Sequence, residues 1–158
     1  MSLAFAATEP GKAYALDEAG AVLVKDNVDN DDAWRSVGHF TIGFGDFARQ
    51  IVSDVTTPHK LYATTQSRVM VSTNDGATWT LLRSSTVKIN CLALHPFKPG
   101  YLFLAIDGDV LASPDSGTSW FSTGAVLPNA PVMQLITNNG WLYAATFGRG
   151  LWRTKLPV

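Results

Sequence analysis

Short apolar segments alternate with clusters of polar turn residues along the whole chain. The segments are rich in Val, Tyr, Thr and Trp, and Gly, Pro, Asn and Asp separate them. No segment carries apolar residues at a convincing helical period. The pattern predicts short strands in four groups, near residues 3–8, 13–17, 21–25 and 33–37; 49–55, 61–65, 69–72 and 79–82; 88–94, 101–106, 110–113 and 120–123; and 132–137, 141–146 and 151–155. We therefore predict an all-β fold.

The groups of strands are copies of one another. Residues 72–79 read STNDGATW, and residues 113–120, which lie 41 positions later, read SPDSGTSW. The apolar segments 61–65 and 102–106 align without a gap, and 142–146 continues the register. The first group is a degenerate copy with a longer turn. A repeat of about 40 residues that contains only strands and turns indicates a repeated all-β architecture.

Each position of the repeated octapeptide has a physical role in a tight turn. The Ser hydroxyl and the Asn or Asp side chain can accept hydrogen bonds from nearby backbone N–H groups. The Gly can adopt the positive φ of a reversal, and the Trp is expected to be a buried anchor for the next strand. We therefore predict a structural role for Ser72, Asn74, Gly76 and Trp79, and for Ser113, Asp115, Gly117 and Trp120.

Four-stranded units that repeat at about 40 residues are typical of β-propeller blades, in which each sheet covers the apolar face of its neighbour. We predict one domain over residues 1–158, with about four blades near 1–38, 47–83, 87–124 and 131–156. The last blade lacks its outer strand, which leaves an open edge near residues 151–155. The alternatives are part of a larger ring, a subunit that pairs with a second copy, and a small four-bladed ring.

The octapeptide resembles the Asp-box, or bacterial neuraminidase repeat, with the pattern Ser-x-Asp-x-Gly-x-Thr-Trp. The copy at residues 113–120 matches this pattern except that Ser119 replaces Thr. The copy at residues 72–79 has Asn74 in place of Asp. This repeat recurs in propellers of sialidases, xyloglucan-degrading glycosidases, sortilin-type receptors and photosystem assembly factors, and residues 143–153 resemble their closing segment. The resemblance implies a turn that is structural rather than catalytic. It also suggests a secreted or extracytoplasmic protein, although we expect no signal peptide in this chain.

Composition excludes several classes of function. Hydrophobic residues make up 46% of the chain, charged residues 16%, and the net charge is −1, so neither a disordered tail nor a polybasic nucleic-acid surface is expected. We also expect no membrane association. The single cysteine, Cys91, lies in an apolar segment and is expected to be a small buried side chain without an intrachain disulfide.

We predict no metal site and no cofactor. The Asp-rich run 25–33 lacks the Gly and the Glu that an EF-hand loop requires. His39, His59 and His95 lie in separate segments without the spacing of metal ligands.

Catalysis by this chain alone is not expected. By resemblance, sialidase chemistry would use three arginines, and Arg49, Arg68 and Arg149 all fall near strand ends. The accompanying Phe-Arg-Ile-Pro motif is missing, however, and the available glutamates are Glu9 and Glu18. Tyrosines recur at one strand position of the repeat, which indicates packing: Tyr14, Tyr62 and Tyr143. An ordinary glycosidase needs two separated carboxylates, whereas Asp107 and Asp109 share an Asp-Gly-Asp turn that is typical of a hairpin.

A binding surface is the stronger functional hypothesis. In a four-stranded blade, the turn after the second strand and the connection to the next blade lie at the end opposite the octapeptide. The candidate binding residues there are Phe40, Phe44, Arg68, Asp107, Asp109, Phe147 and Arg149. Exposed aromatic loops often mark interaction sites, although the phenylalanines of residues 38–47 could instead cover the core.

We therefore predict a non-catalytic scaffold that recognises a glycan or a protein. The alternative is the C-terminal part of a secreted glycoside hydrolase with catalytic residues partly outside this chain. A missing propeller half or self-association is the expected partner for the exposed blade faces.

Overall fold

The computed structural model describes residues 1–124 and 130–157, and it is all-β, as predicted. The strands are β1 (Ser2–Phe5), β2 (Ala13–Leu16), β3 (Ala21–Lys25), β4 (Arg35–His39), β5 (Ala48–Ser53), β6 (Leu61–Thr65), β7 (Arg68–Ser72), β8 (Thr80–Ser84), β9 (Ile89–Leu94), β10 (Leu102–Ile106), β11 (Asp109–Ser113), β12 (Phe121–Ser122), β13 (Val132–Asn138), β14 (Trp141–Thr146) and β15 (Gly150–Lys155). Within residues 1–124 and 130–157, no helix is long and apolar enough to cross a membrane.

The strands form four antiparallel meanders in which sequence neighbours are also sheet neighbours. Three sheets have four strands, β1–β4, β5–β8 and β9–β12, and the fourth has β13, β14 and β15. This is the arrangement that the repeat predicts for propeller blades. Within the described residues, β15 forms one side of the fourth sheet and pairs there with β14 only.

The chain divides into two compact units, Met1–Ser84 with strands β1–β8 and Ser85–Val158 with strands β9–β15. In the first unit, β1 lies beside β5, and the Ile51 amide donates to Ser2 Oγ at 3.2 Å. Strands β2 and β6 are buried along their whole length because both of their faces are covered. The core of this unit includes Tyr14, Leu16, Val22, Val24, Phe40, Ile51, Leu61 and Ala63.

The second unit repeats this packing. Strand β9 lies beside β13, and Thr137 Oγ1 donates to the Leu94 carbonyl at 2.8 Å. All residues of β9 are buried. The core includes Cys91, Ala93, Phe103, Ala105, Val110, Ala112, Leu135 and Leu142. The expectation that Cys91 is a buried side chain is confirmed, since it is 5% exposed.

Several strand limits differ from the predicted ones because turn hydrogen bonds compete with sheet pairing. The first strand ends at Phe5 rather than near residue 8, because the Ala6 amide donates to the Lys12 carbonyl at the start of a turn. The fourth begins at Arg35, later than predicted, after a long polar turn. Trp79 precedes β8 instead of starting it, because its indole N–H donates back to the Gly76 carbonyl.

Candidate functional site

The antiparallel meander places the connections of the first unit at two opposite ends. One end holds the β2–β3 and β6–β7 turns together with residues 40–47, which we call the aromatic loop. The other end holds the β1–β2, β5–β6 and β7–β8 connections. Each end gathers polar side chains, and only the first was predicted as a binding surface.

Asp46 anchors the aromatic loop to the β6–β7 turn. Its carboxylate accepts hydrogen bonds from Thr65 Oγ1 at 2.6 Å, from Ser67 Oγ at 2.7 Å and from the Gln66 amide at 2.8 Å. It also accepts the Phe47 amide at 2.9 Å. Burial opposes ionisation of Asp46, but these hydrogen bonds outweigh it and hold the pKa of this carboxyl below its usual value. The loop is therefore fixed by a charged acceptor with four donors.

Phe40 is a core residue, which corrects its assignment to an exposed binding surface. It is 4% exposed, and its ring contacts the Trp79 ring edge-on at a centroid distance of 5.2 Å. The Phe40 amide donates to the Gly20 carbonyl, which continues the pairing of β3 with β4 beyond His39. The sequence also allowed the phenylalanines of this loop to cover the core, and Phe40 does so.

Other residues of the aromatic loop remain accessible. Phe44 is fully exposed and Phe47 is 42% exposed. The Arg49 guanidinium lies 5.7 Å from the centre of the Phe47 ring. Arg68 lies along the loop, since its Nη1 donates to the Thr41 carbonyl at 3.4 Å. The structure thus combines exposed aromatic rings with cationic groups on one loop and its neighbouring strands.

The remaining candidate binding residues lie in the second unit, in two different turns. The Asp107 carboxylate accepts a hydrogen bond from Asn90 Nδ2 at 2.8 Å, and Asp109 accepts the Val110 amide at 2.7 Å. Both carboxylates therefore stabilise the β10–β11 turn and its surroundings. Phe147 and Arg149 are exposed in the β14–β15 turn. The Arg149 carbonyl accepts the indole N–H of Trp152 at 3.0 Å.

The repeated octapeptides fold into turns with the same hydrogen bonds. Ser72 Oγ accepts the Gly76 amide at 2.9 Å, and Ser113 Oγ accepts the Gly117 amide at 2.8 Å. Each hydroxyl in turn donates to the side chain two residues later, in Asn74 or Asp115. Both glycines have positive φ, 86° and 92°. These hydrogen bonds fix the backbone of the two turns.

The two tryptophans occupy equivalent positions, although neither is as buried as expected. Trp79 and Trp120 are half-buried, and their indole N–H groups donate to the carbonyls of Gly76 at 2.9 Å and Gly117 at 3.0 Å. An indole fixed by its own turn lies across that turn and cannot enter the core completely. The alignment of the repeats is correct, and the expected burial was too large.

A second polar site lies at the opposite end of the first unit and was missed in the sequence. Lys12 Nζ donates to Glu9 Oε2 at 3.0 Å and to Asp75 Oδ1 at 2.9 Å, and the Tyr14 hydroxyl also donates to Asp75. His59 Nδ1 lies 2.9 Å from Asp75 Oδ2 and 3.4 Å from Glu9 Oε1. We call these residues the His59 cluster. It joins the β1–β2 connection to the β5–β6 and β7–β8 connections.

Charges in the His59 cluster stabilise one another. Burial opposes ionisation of Asp75, but hydrogen bonds from Tyr14 and Lys12 outweigh it and hold the pKa of this carboxyl below its usual value. Burial also opposes the charge of Lys12, whose pKa is nevertheless raised by its hydrogen bonds to Asp75 and Glu9. Lys12 is thus a nearly buried cation between two carboxylates.

A cleft of about 440 Å³ lies in the second unit beside β15. Its lining is mostly apolar and includes Phe103, Leu135, Leu142 and Trp152, together with Arg153 and Lys155. Among the described residues, no carboxylate, histidine or cysteine lines it. This cleft is therefore not lined by the pair of carboxylates that glycoside hydrolysis requires.

No protein-family model matches the chain, and no curated protein matches it in sequence. Solved structures do match its fold. The GH74 enzyme of Niastella koreensis aligns with a TM-score of 0.73 at 20% identity, over 97% of this chain and 22% of the enzyme. YCF48 bound to D1 peptide aligns at 0.72 and 17% identity, over 99% of this chain and 50% of that one. The GH74 xyloglucanase of Xanthomonas campestris aligns at 0.72 and 13% identity, over 98% and 29%.

The chain thus spans between 22% and 50% of the length of these three proteins. At such low identities the likeness concerns the fold alone, because one fold carries many functions. Four antiparallel sheets in sequence order, together with these neighbours, show that the chain has the blade architecture of a β-propeller.

Proposed function

We propose that this chain is a non-catalytic recognition module that binds a protein partner through the aromatic loop. The observation that carries the proposal is a fully exposed phenylalanine, Phe44, on a loop that Asp46 fixes with four hydrogen bonds. A loop that only covered the core would bury its aromatic rings, as it does with Phe40. Phe47 on the same loop is also exposed, and aromatic residues are enriched at protein interfaces.

Rigidity supports this function because binding then costs less conformational entropy. An ordered side chain or loop that keeps its shape on binding avoids the free-energy cost of ordering it. Asp46 fixes the loop near its end, and Arg68 donates to the Thr41 carbonyl near its start. Phe44 is therefore presented by a loop that is supported from both sides.

The chemistry of the loop indicates what the partner carries. Phe44 and Phe47 offer apolar surface, and Arg49 and Arg68 offer guanidinium groups that pair with carboxylates. Aromatic residues and arginine are enriched at protein interfaces and among their energetically dominant residues. An extended protein segment with apolar and acidic side chains fits this pattern. A structure of this fold, YCF48, is described as bound to a peptide, so peptide recognition is compatible with the fold.

A second candidate is a part of a glycoside hydrolase, favoured by the GH74 enzymes among the fold neighbours. In this chain, Asp107 and Asp109 serve local hydrogen bonds to Asn90 and the Val110 amide. Under this candidate function, the reacting carboxylates would come partly from sequence outside the chain, and the aromatic loop would contact sugar rings.

The proposal is tested by binding of the purified chain to a peptide array and to a xyloglucan oligosaccharide array. We expect retention on peptides with aromatic and acidic residues, and at least about a tenfold loss of affinity in Phe44→Ala, as for an interface residue of dominant energy. Phe97→Ala is the matched control, because Phe97 is 77% exposed in the second unit, outside the aromatic loop.

Equal affinities of Phe44→Ala and the unmodified chain would contradict a role for the aromatic loop. Retention on xyloglucan oligosaccharides but not on peptides would instead support the second candidate. In that case, release of reducing sugar by the chain would contradict the absence of catalysis.

A further inference from the structure

We propose that Glu9, His59 and Asp75 form a binding site for a divalent transition metal of the Zn²⁺ type. Their candidate ligand atoms, Glu9 Oε1, His59 Nδ1 and Asp75 Oδ2, all lie within 4.8 Å of one another. The site lies at the end of the first unit opposite the aromatic loop and is independent of the proposed partner surface.

The spacing of the ligand atoms fits a tetrahedral metal. With metal–ligand bonds of about 2.0–2.2 Å, neighbouring ligand atoms of a tetrahedral site lie roughly 3.3–3.6 Å apart. His59 Nδ1 lies 3.4 Å from Glu9 Oε1 and 2.9 Å from Asp75 Oδ2. One distance falls in this range and the other is shorter, so binding of one ion would move His59 Nδ1 and Asp75 Oδ2 slightly apart, with a water molecule as the fourth ligand.

The two carboxylates are already oriented by groups behind them. Lys12 Nζ holds Glu9 Oε2 at 3.0 Å and Asp75 Oδ1 at 2.9 Å, and the Tyr14 hydroxyl donates to the same Asp75 oxygen. The other oxygen of each carboxylate is directed at His59. Hydrogen bonds that orient metal ligands from behind are a regular part of metal sites. Lys12 also offsets part of the negative charge before the ion binds.

An unsatisfied oxygen points to the missing partner. Glu9 Oε1 is shielded from solvent and accepts no hydrogen bond, although the Glu9 side chain as a whole is 29% exposed, and it lies 3.4 Å from His59 Nδ1. One Nδ1 proton serves the nearer Asp75 oxygen, at 2.9 Å, and leaves the Glu9 oxygen without a donor. A buried carboxylate oxygen without a partner is costly. A metal ion in place of that proton would bind both oxygens and the nitrogen.

The backbone conformation at His59 is one that glycine adopts in the neighbouring repeats. Gly11, His59 and Gly100 occupy equivalent positions in the turns between the first and second strands of three successive blades. The carbonyl of each accepts an amide N–H from the turn between the third and fourth strands of the same blade. The φ angle is 87° at Gly11, 71° at Gly100 and 60° at His59. Positive φ favours glycine and strains other residues, so histidine is the unfavourable choice for the backbone here. Metal binding by the imidazole gives that choice a function.

The donor set selects the class of ion. One imidazole nitrogen and two carboxylate oxygens are ligands that Zn²⁺ accepts in four-coordinate sites. Ca²⁺ requires six to eight oxygen ligands, and Mg²⁺ prefers octahedral oxygen sites with several waters. The order of affinities for first-row metals also places Zn²⁺ above Mn²⁺ and Fe²⁺.

The test measures thermal unfolding and calorimetric binding of the full chain with Zn²⁺, Ca²⁺ or Mg²⁺ at equal concentration. We expect one Zn²⁺ to bind per chain and to raise the unfolding temperature, because a ligand of the folded state stabilises it. Ca²⁺ and Mg²⁺ should leave that temperature unchanged. Glu9→Gln, which keeps the shape and removes the charge, should weaken Zn²⁺ binding at least about tenfold.

His59→Gly is the decisive variant, because glycine occupies this position in the neighbouring repeats. We expect it to fold at least as stably as the unmodified chain without metal and to lose the Zn²⁺-dependent rise. His39→Gln, at an exposed histidine of β4, is the control and should keep the rise. A rise that survives in His59→Gly, a rise that disappears in His39→Gln, or no Zn²⁺ binding by the unmodified chain would each overturn the proposal.

Discussion

At the scale of single residues, buried polar side chains hold the turns of this protein together. His95 is the clearest example in the second unit, because it is 5% exposed and both of its ring nitrogens have partners. Its Nδ1 accepts the amides of Phe97 and Lys98, each at 3.1 Å. Its Nε2 must then carry the proton and donate to the Pro157 carbonyl at 3.2 Å. The fold therefore requires the neutral imidazole.

Stability should consequently fall in mild acid. Burial lowers the pKa of His95 and the charge of Lys98 lowers it further, against the opposing effect of Pro157. A depressed folded-state pKa means that the stabilisation is complete above the ordinary value of 6.5 and is lost as the pH falls through the folded-state pKa. Urea unfolding between pH 8 and 5 should show this decline.

The matched variant for this prediction is His95→Asn. Its side-chain oxygen can accept backbone amides, and it does not titrate. We expect a flatter dependence of the free energy of unfolding on pH in this variant than in the unmodified chain. Identical pH dependences would show that His95 does not cause the decline.

At the level of secondary structure, the sequence predicted the presence and order of the strands more accurately than the residues at which they begin and end. The serine hydroxyl of each octapeptide finds its partners within the same eight residues, so these hydrogen bonds follow from local sequence. The start of β8 at Thr80 instead depends on the indole of Trp79, which bonds back to its turn and packs against Phe40. The contact with Phe40 spans two blades and has no local signal.

The turn between β11 and β12 should depend on the Ser113 hydroxyl. Ser113 is completely buried, and its Oγ accepts the Gly117 amide and donates to Asp115. Ser113→Ala would leave a buried N–H without a partner and should lower the free energy of unfolding by about 1–3 kcal/mol. Chemical denaturation measures this loss. Ser122→Ala, in the exposed strand β12, is a control of the same chemistry and should change little.

At the scale of the whole molecule, the edge strand β15 is the feature with the largest consequence. Within the described residues it pairs with β14 alone, and it presents Leu151, which is 68% exposed, and Trp152, which is 42% exposed. Exposed sheet edges with apolar side chains pair readily with further strands. The chain also spans between 22% and 50% of the length of the three solved structures described above.

We expect the chain to self-associate through β15 at micromolar concentration. Sedimentation velocity should show an average mass that increases with concentration, and Leu151→Lys should suppress that increase, because lysine on an edge opposes strand pairing. Phe97→Lys adds the same charge at an exposed position outside any strand and should have no effect. A monomer at all concentrations would contradict this expectation.

The all-β fold, the repeated turn and the approximate strands follow from the order of the amino acids, because each of these depends on the side chains of a few consecutive residues. The burial of Phe40 and the exposure of Phe44 depend on which distant residues pack against the loop, and the loop sequence does not indicate those contacts. The His59 cluster was invisible for a related reason. Residues 9, 59 and 75 are brought together by the packing of two blades, and their spacing in the chain follows no ligand pattern.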